Sequence, residues 1–521
     1  IASLGGIAGI VMAIIASLWR ARREKNATTY GSARWSSVRD VRRSGLLGTS
    51  GVVLGRFKGR YLRHTGAEHV MAFAPTRSGK GVGAVIPNLL DYPGSVVVTD
   101  IKGENHAVTR AYRETLGRVI AFAPFDPPLG GDGYNPLDFV RTFTPNEVDD
   151  ARMIAEMLVA PDGKEANHWE REARTLLTGL LLHVALERKA QERNLHRVRA
   201  LLMRDRSGFE AVIDAMAQSP HIVISTIGRG FSQKEDKERG AVISTAQSRL
   251  EPFDSPLLQA ATNHSSFKME DLKRETLSLF IIIPPEYVAI YQPILRLMVG
   301  LATAAMTREA KRPKHPVLFL LDELPALGYM RPIEDGIGYL AGYGAILWLF
   351  VQDLDQLQKT YVKWRSMIAN CAVRQAFNVQ DTQTAELLSG MLGQRTVRTR
   401  SGSRSGGSHG FGWRQTSTRP WPRRDAHCCH QPRSCSCRRT RCWFSCRAAN
   451  RSWPRRFATL PTGISASAST RPFPTMTKVL IKVSASPSPK FNERILSCNF
   501  SKTHRFCFSK PSSYRACSVP Q

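Results

Sequence analysis

The chain has 521 residues, of which 42% are apolar and 22% charged, and its formal charge is +30. That length carries two or three domains, and a single cysteine before residue 428, Cys371, excludes a disulfide framework there and suits a reducing compartment. The charge is uneven: residues 411–521 hold 21 Lys and Arg against 2 acids and the rest holds 52 against 41, so the body is moderately basic, as for a nucleic-acid or anionic-membrane partner or for plain solubility.

Residues 1–19 are uncharged and mostly apolar, and at ~1.5 Å per residue a helix there is about long enough for a bilayer core. Arg20, Arg22, Arg23 and Lys25 follow at once, so a transmembrane helix over 1–19 with everything downstream in the cytoplasm is expected. Positive residues after the apolar run, not before it, argue against a cleaved secretory signal. Residues 20–66 are polar, Gly-dotted and basic, and read as a membrane-proximal connector with a short strand over 51–54. Apolar runs at 69–74, 95–100, 118–125, 278–285, 317–322 and 345–352 alternate with helical stretches, which predicts an α/β fold with a parallel sheet, assembled from 67–144 and 263–400. Between them, over 145–262, the strand signal vanishes. Trp169, Ala173, Leu176, Leu177, Leu180, Leu181 and Val184 fall on one face of a helix there, so an inserted all-α domain with a buried stripe is expected.

The first apolar run leads into Pro75-Thr76-Arg77-Ser78-Gly79-Lys80-Gly81. A Gly-rich turn between strand and helix aims backbone N–H groups at phosphate oxygens, and Lys80 adds a mobile positive charge for the β and γ phosphates. The usual pattern has Gly where Ala74 stands and a hydroxyl where Gly81 stands; Gly81 removes the customary Mg²⁺ ligand, leaving Ser78 or water as substitutes. The run at 317–322 closes on Asp322 and Glu323, and carboxylates at that edge of a buried strand are costly to desolvate without a task. Asp322 is the candidate Mg²⁺ holder and Glu323 the candidate activator of water; the plainer reading, a helix N-cap, fits Asp322 but leaves Glu323 idle. Gln352 ends the next run, as a γ-phosphate sensor or as a simple cap. After about residue 400 the character changes. Nine cysteines crowd 428–517 without paired C-x-x-C knuckles, no helical or strand period persists, and residues 401–521 read as a disordered tail, out of register with the original coding frame.

Several strings carry a resemblance: Tyr30-Gly31-Ser32-Ala33-Arg34-Trp35, Ala74 to Gly83, Asp100-Ile101-Lys102-Gly103-Glu104-Asn105, Leu321 to Gly328, Ala341-Gly342-Tyr343-Gly344 and Val351 to Leu357. In order and spacing the sequence resembles the TraG-like coupling proteins of bacterial conjugation and type IV secretion, from the first helix to about Gly393. The resemblance implies a RecA-like P-loop fold and an inner-membrane anchored, hexamer-forming ATPase that uses ATP and Mg²⁺. Such a protein receives relaxase-bound single-stranded DNA or protein effectors and feeds them to the secretion channel. It also makes Gly81 a family trait and assigns cargo selection to the all-α insert. Two departures stand out: only one of the two usual membrane helices is visible, and the region after Gly410 is not recognisable. Arg374 is a candidate arginine finger. A membrane receptor that binds cargo and nucleotide without productive hydrolysis is the alternative of another class; a DNA-segregation translocase shares the chemistry but not the strings at 31–35 and 342–352.

Overall fold

The computed structural model describes residues 12–19, 33–126, 128, 131–161, 166–187, 189–397 and the short strands Arg424–His427, Cys442–Ala448, Val479–Ala485 and Arg494–Cys498. Seven parallel strands form its centre: β1 His69–Phe73, β2 Val96–Thr99, β3 Arg118–Phe122, β4 Leu277–Ile281, β5 Val317–Leu321, β6 Ala345–Val351 and β7 Cys371–Phe377. Their spatial order is β7-β1-β6-β5-β2-β4-β3, with every neighbouring pair parallel. The predicted parallel α/β sheet is therefore present. Strands covered on both faces can be apolar at every position, which is why β1, β2, β4, β5 and β6 read as unbroken buried runs. Alternate residues serve two cores: Met71, Phe73, Phe319 and Leu347 on one face, Val70, Ala72, Leu318, Trp348 and Phe350 on the other.

The seventh strand was not among the expected runs, because Arg374 and Gln375 interrupt its apolar pattern. Gln375 is nevertheless fully buried and donates its Nε2 to the Leu54 carbonyl at 3.1 Å. Leu54 belongs to a hairpin, Val52–Phe57 against Arg60–His64, so the expected short strand at 51–54 is one arm of a pair that packs under the sheet. Asn88, in the helix Ile86–Leu89, grips that hairpin: its Oδ1 accepts from Val53 N at 2.7 Å and its Nδ2 donates to Val53 O at 2.8 Å. Beyond β7 the sheet continues through Cys442–Ala448, Val479–Ala485 and Arg494–Cys498. These strands fall within residues 401–521, the expected disordered tail, the rest of which lies outside the described residues. The cysteine-rich stretch 428–437 lies outside the described residues.

Between β3 and β4 the described chain is helical. Six helices of eight residues or more run from Glu147–Leu158 to Asp236–Leu250. His168–Ala185 opens with Asn167 and Glu170 closing a reciprocal cap, and it buries Ala173, Leu176, Leu177, Leu180, Leu181 and Val184. Trp169, expected on that buried stripe, is 41% exposed, because it lies in the first turn, ahead of the core. Guanidinium groups of the helix Gln292–Arg308 tie this unit to the sheet: Arg296 Nε donates to Met157 O at 2.6 Å, and Arg308 pairs with Asp150 at 3.0 Å and Glu270 at 2.8 Å. Of the expected membrane span, residues 1–11 lie outside the described residues and 12–19 are helical. Among the described residues no helix is long and apolar enough to cross a membrane.

His69 at the head of β1 joins it to β6 by accepting the Leu347 N–H at 3.0 Å on Nδ1. Burial holds its pKa down at about 4, against an ordinary 6.5. The unfolded chain therefore takes up this proton first, so stability is full above pH 6.5 and is lost as pH falls to 4, by about 3 kcal/mol. His69→Asn keeps an acceptor and removes the titration. Denaturant unfolding at pH 7 and pH 4.5 is expected to show a smaller acid loss in the variant than in the parent.

Candidate functional site

After Phe73 the chain turns sharply through Arg77 and Gly79, both left-handed at φ 60° and 87°. Glycine adopts this freely; Arg77 does so at a cost of ~1–2 kcal/mol, the kind of local strain found at ligand sites. Ser78 N donates to Pro75 O at 3.1 Å and Gly83 N to Gly79 O at 2.8 Å, which starts a helix at Lys80 with a wide π-helical turn, Gly81–Val85, before Ile86–Leu89. The loop Pro75 to Gly81 is thus a strand-to-helix cradle open at its N–H end. A Cβ on Gly81 would meet nothing within 4 Å, so the missing hydroxyl is not a steric requirement.

Between β1 and β5 lies only β6. At about 4.8 Å per strand the two tips are ~10 Å apart, a gap that a lysine side chain can bridge. Lys80 does so: its Nζ lies 2.7 Å from Asp322 Oδ1 and 3.1 Å from Glu323 Oε1. Gln352, at the end of the intervening β6, donates Nε2 to the same Glu323 oxygen at 3.3 Å and accepts from Gln356 Nε2 at 3.4 Å. The structure therefore gathers Lys80, Asp322, Glu323 and Gln352 into one cluster. Glu323 is left-handed (φ 51°, ψ 54°), and its own N–H donates to Asp322 Oδ1 at 3.0 Å.

Neighbouring strand β2 contributes residues not singled out for the site. Thr99 Oγ1 accepts from Asp322 N at 2.8 Å and donates to Asp322 O at 3.2 Å. Asp100 is 3% exposed and takes Asn105 Nδ2 at 3.1 Å and His106 N at 2.8 Å, fixing the start of the helix Glu104–Leu116. Burial raises its pKa to about 6, with the nearby Asp322 charge adding to the rise. Burial also pushes Asp322 up, opposed by Lys80. Asp100 had a signal, the string Asp100 to Asn105, but Thr99 closes a β-branched strand and looks like any strand residue.

For Mg²⁺ the oxygens at hand are hard and few. Asp322 offers a carboxylate, and Ser78 Oγ is buried without a hydrogen-bond partner. Among the described residues no group of three or more His, Cys, Asp or Glu is arranged to hold a metal ion. That set fits a cation held by one or two protein oxygens together with substrate phosphates and water, which is how Mg²⁺ is commonly bound. Two clefts of about 840 and 710 Å³ lie elsewhere, along the seam of the helical unit, and share Arg296 and Tyr329; neither is lined by Lys80, Asp322 or Glu323.

The model of the family described as type IV secretory system conjugative DNA transfer matches residues 34–419. The chain belongs to this family, the TraG-like type IV coupling proteins. It is 34% identical to the conjugal transfer protein TraG of Escherichia coli, over 71% of this chain and 65% of that protein. To VirD4 of Rhizobium rhizogenes it is 29% identical, over 73% and 59%. The chain thus spans a little under two thirds of the length of these curated relatives. Among solved structures it is similar to the conjugative coupling protein TrwBΔN70, with TM-score 0.55 and 16% identity over 72% of this chain and 83% of that one. TrwB in complex with ADP and Mg²⁺ gives TM-score 0.53 and 17% identity over 70% and 84%. This likeness establishes the RecA-like fold of the coupling protein.

The left-handed backbone at Glu323 makes a measurable difference between two truncations. Glu323→Gly and Glu323→Ala both remove the carboxylate, but only glycine adopts that φ without strain, so the glycine variant is expected to be the more stable by about 1 kcal/mol in denaturant unfolding. Equal stability would mean that the turn relaxes once the side chain is gone.

Proposed function

We propose that this coupling protein is a motor that hydrolyses ATP with Mg²⁺ and drives relaxase-bound single-stranded DNA or protein effectors into a type IV secretion channel. The observation that carries the reading is the convergence of Lys80 on Asp322 and Glu323. An arriving triphosphate competes with those carboxylates for Lys80, whose Nζ transfers to the β and γ phosphate oxygens. Pro75, Thr76, Arg77, Ser78, Gly79 and Gly81 line the cradle with backbone N–H groups, Pro75 excepted. Asp322, with Ser78 Oγ, would hold Mg²⁺, which when bound neutralises phosphate charge. Glu323 takes the proton of the attacking water, and Gln352 Nε2 orients that water.

The apolar run at 1–19 followed by Arg20, Arg22, Arg23 and Lys25 supports an anchor in the bacterial inner membrane with the bulk of the chain cytoplasmic. Family membership supports a homo-hexameric ring, in which basic residues would contact DNA phosphates without reading sequence. Mg²⁺-ATP turnover by the full chain, with and without single-stranded DNA, tests the proposal. Lys80→Ala and Glu323→Gln are each expected to lower kcat by ~10²–10⁴, with Glu323→Gln still binding ATP. Tight nucleotide binding with no turnover in the parent chain would favour the receptor reading instead.

A further inference from the structure

The β2–β5 ladder ends at the pair Thr99 and Leu321. One residue further, where β5 gives way to the turn that carries both acids, neither of the ladders that β5 makes with β2 and β6 extends. Thr99 supplies the missing rung with its side chain: the hydroxyl accepts from the N–H of Asp322 and donates to the C=O of the same residue, at 2.8 and 3.2 Å. Asp322 is thereby held on both of its backbone polar groups, and the next residue, Glu323, is the left-handed one. Its N–H turns back onto Asp322 Oδ1, so the orientation of the first carboxylate and the backbone of the second are coupled.

We infer that Thr99 is a positioning residue, whose hydroxyl orients Asp322 and Glu323 and so sets how well the site responds to Mg²⁺. The inference rests on the proposed Mg²⁺-dependent nucleotide site. Groups that orient a ligating carboxylate commonly matter nearly as much as the ligand itself. Valine in place of Thr99 keeps shape and β-branching but leaves the Asp322 N–H without its acceptor, and the turn must move to find another.

The same strand provides its own control. Just before its opposite end, Ser95 makes a clamp of the same kind: its hydroxyl donates to Glu275 O at 2.8 Å and accepts from Leu277 N at 3.0 Å. No site residue takes part there. If Thr99 merely stabilised the sheet, removing either clamp would have similar consequences.

The experiment uses the full chain and the variants Thr99→Val, Thr99→Ser and Ser95→Ala. Binding of a fluorescent ATP analogue is measured with and without Mg²⁺, beside turnover and thermal melting. For Thr99→Val, Mg²⁺-free binding is expected to stay within about twofold of the parent, while the gain in affinity from Mg²⁺ and kcat each fall ~10–100-fold. Thr99→Ser restores the hydroxyl and is expected to lie within about threefold of the parent in both. Ser95→Ala is expected to melt lower than the parent and to keep the full Mg²⁺ gain. The inference is overturned by a Thr99→Val chain with the parent's Mg²⁺ gain, by a Thr99→Ser chain as weak as Thr99→Val, or by a Ser95→Ala chain that reproduces the loss. A parent that binds Mg²⁺-nucleotide without turnover defeats the proposed motor, yet the Mg²⁺ gain still decides the role of Thr99. A parent that gains nothing from Mg²⁺ overturns both.

Discussion

The ionic contact of Lys80 with Asp322 and Glu323 joins positions up to 243 residues apart, and the architecture between them is what makes it possible. Three constraints must hold together. The loop after β1 must start a helix at the lysine, β5 must end two residues from a left-handed turn, and β6 must lie between the two tips at strand spacing. The parallel order β7-β1-β6-β5-β2-β4-β3 meets the last of these, and it carries the amide of Gln352 into the gap. A charge cluster with one cation and two partly buried anions is held by geometry more than by its own energy, since desolvation offsets much of the attraction.

Topology also explains how a large helical unit can interrupt the domain without harming the site. The excursion leaves from β3 and returns to β4, neighbours at one edge of the sheet, five and four strands away from β1. Its attachment elsewhere depends on the helix Gln292–Arg308, where Arg296 and Arg308 reach backbone carbonyls and carboxylates of the insert. Arg113 does similar work inside the sheet domain: fully buried, it donates to Ser278 Oγ, Tyr92 O and Gly94 O, so helix, loop and strand are fixed by one side chain. In both places a guanidinium suits the task because its five donors lie in one plane.

Much of this was legible in the residues, for physical reasons that differ from element to element. Six central strands announced themselves because burial on both faces demands unbroken Val, Leu, Ile and Phe; β7 did not, because Gln375 interrupts it and donates its Nε2 to Leu54 O, a partner invisible to local pattern. The helical stripe of Ala173 to Val184 follows from a period of 3.6, but a period cannot say where a core begins, and Trp169 falls outside it. The candidate site showed the same division. Pro75 to Gly81, Asp322, Glu323 and Gln352 were readable as residue types in the right order at strand ends, whereas Thr99 acts through a hydroxyl whose partner lies 223 residues away. Orientation by a neighbouring strand leaves no trace in spacing.

The amide of Asn88 deserves a mechanical reading. It holds Val53 through both of its polar ends and also donates to Ala84 O at 2.7 Å, one helical turn back toward Lys80. Hairpin and phosphate helix are consequently pinned to each other by one side chain, eight residues along the chain from Lys80.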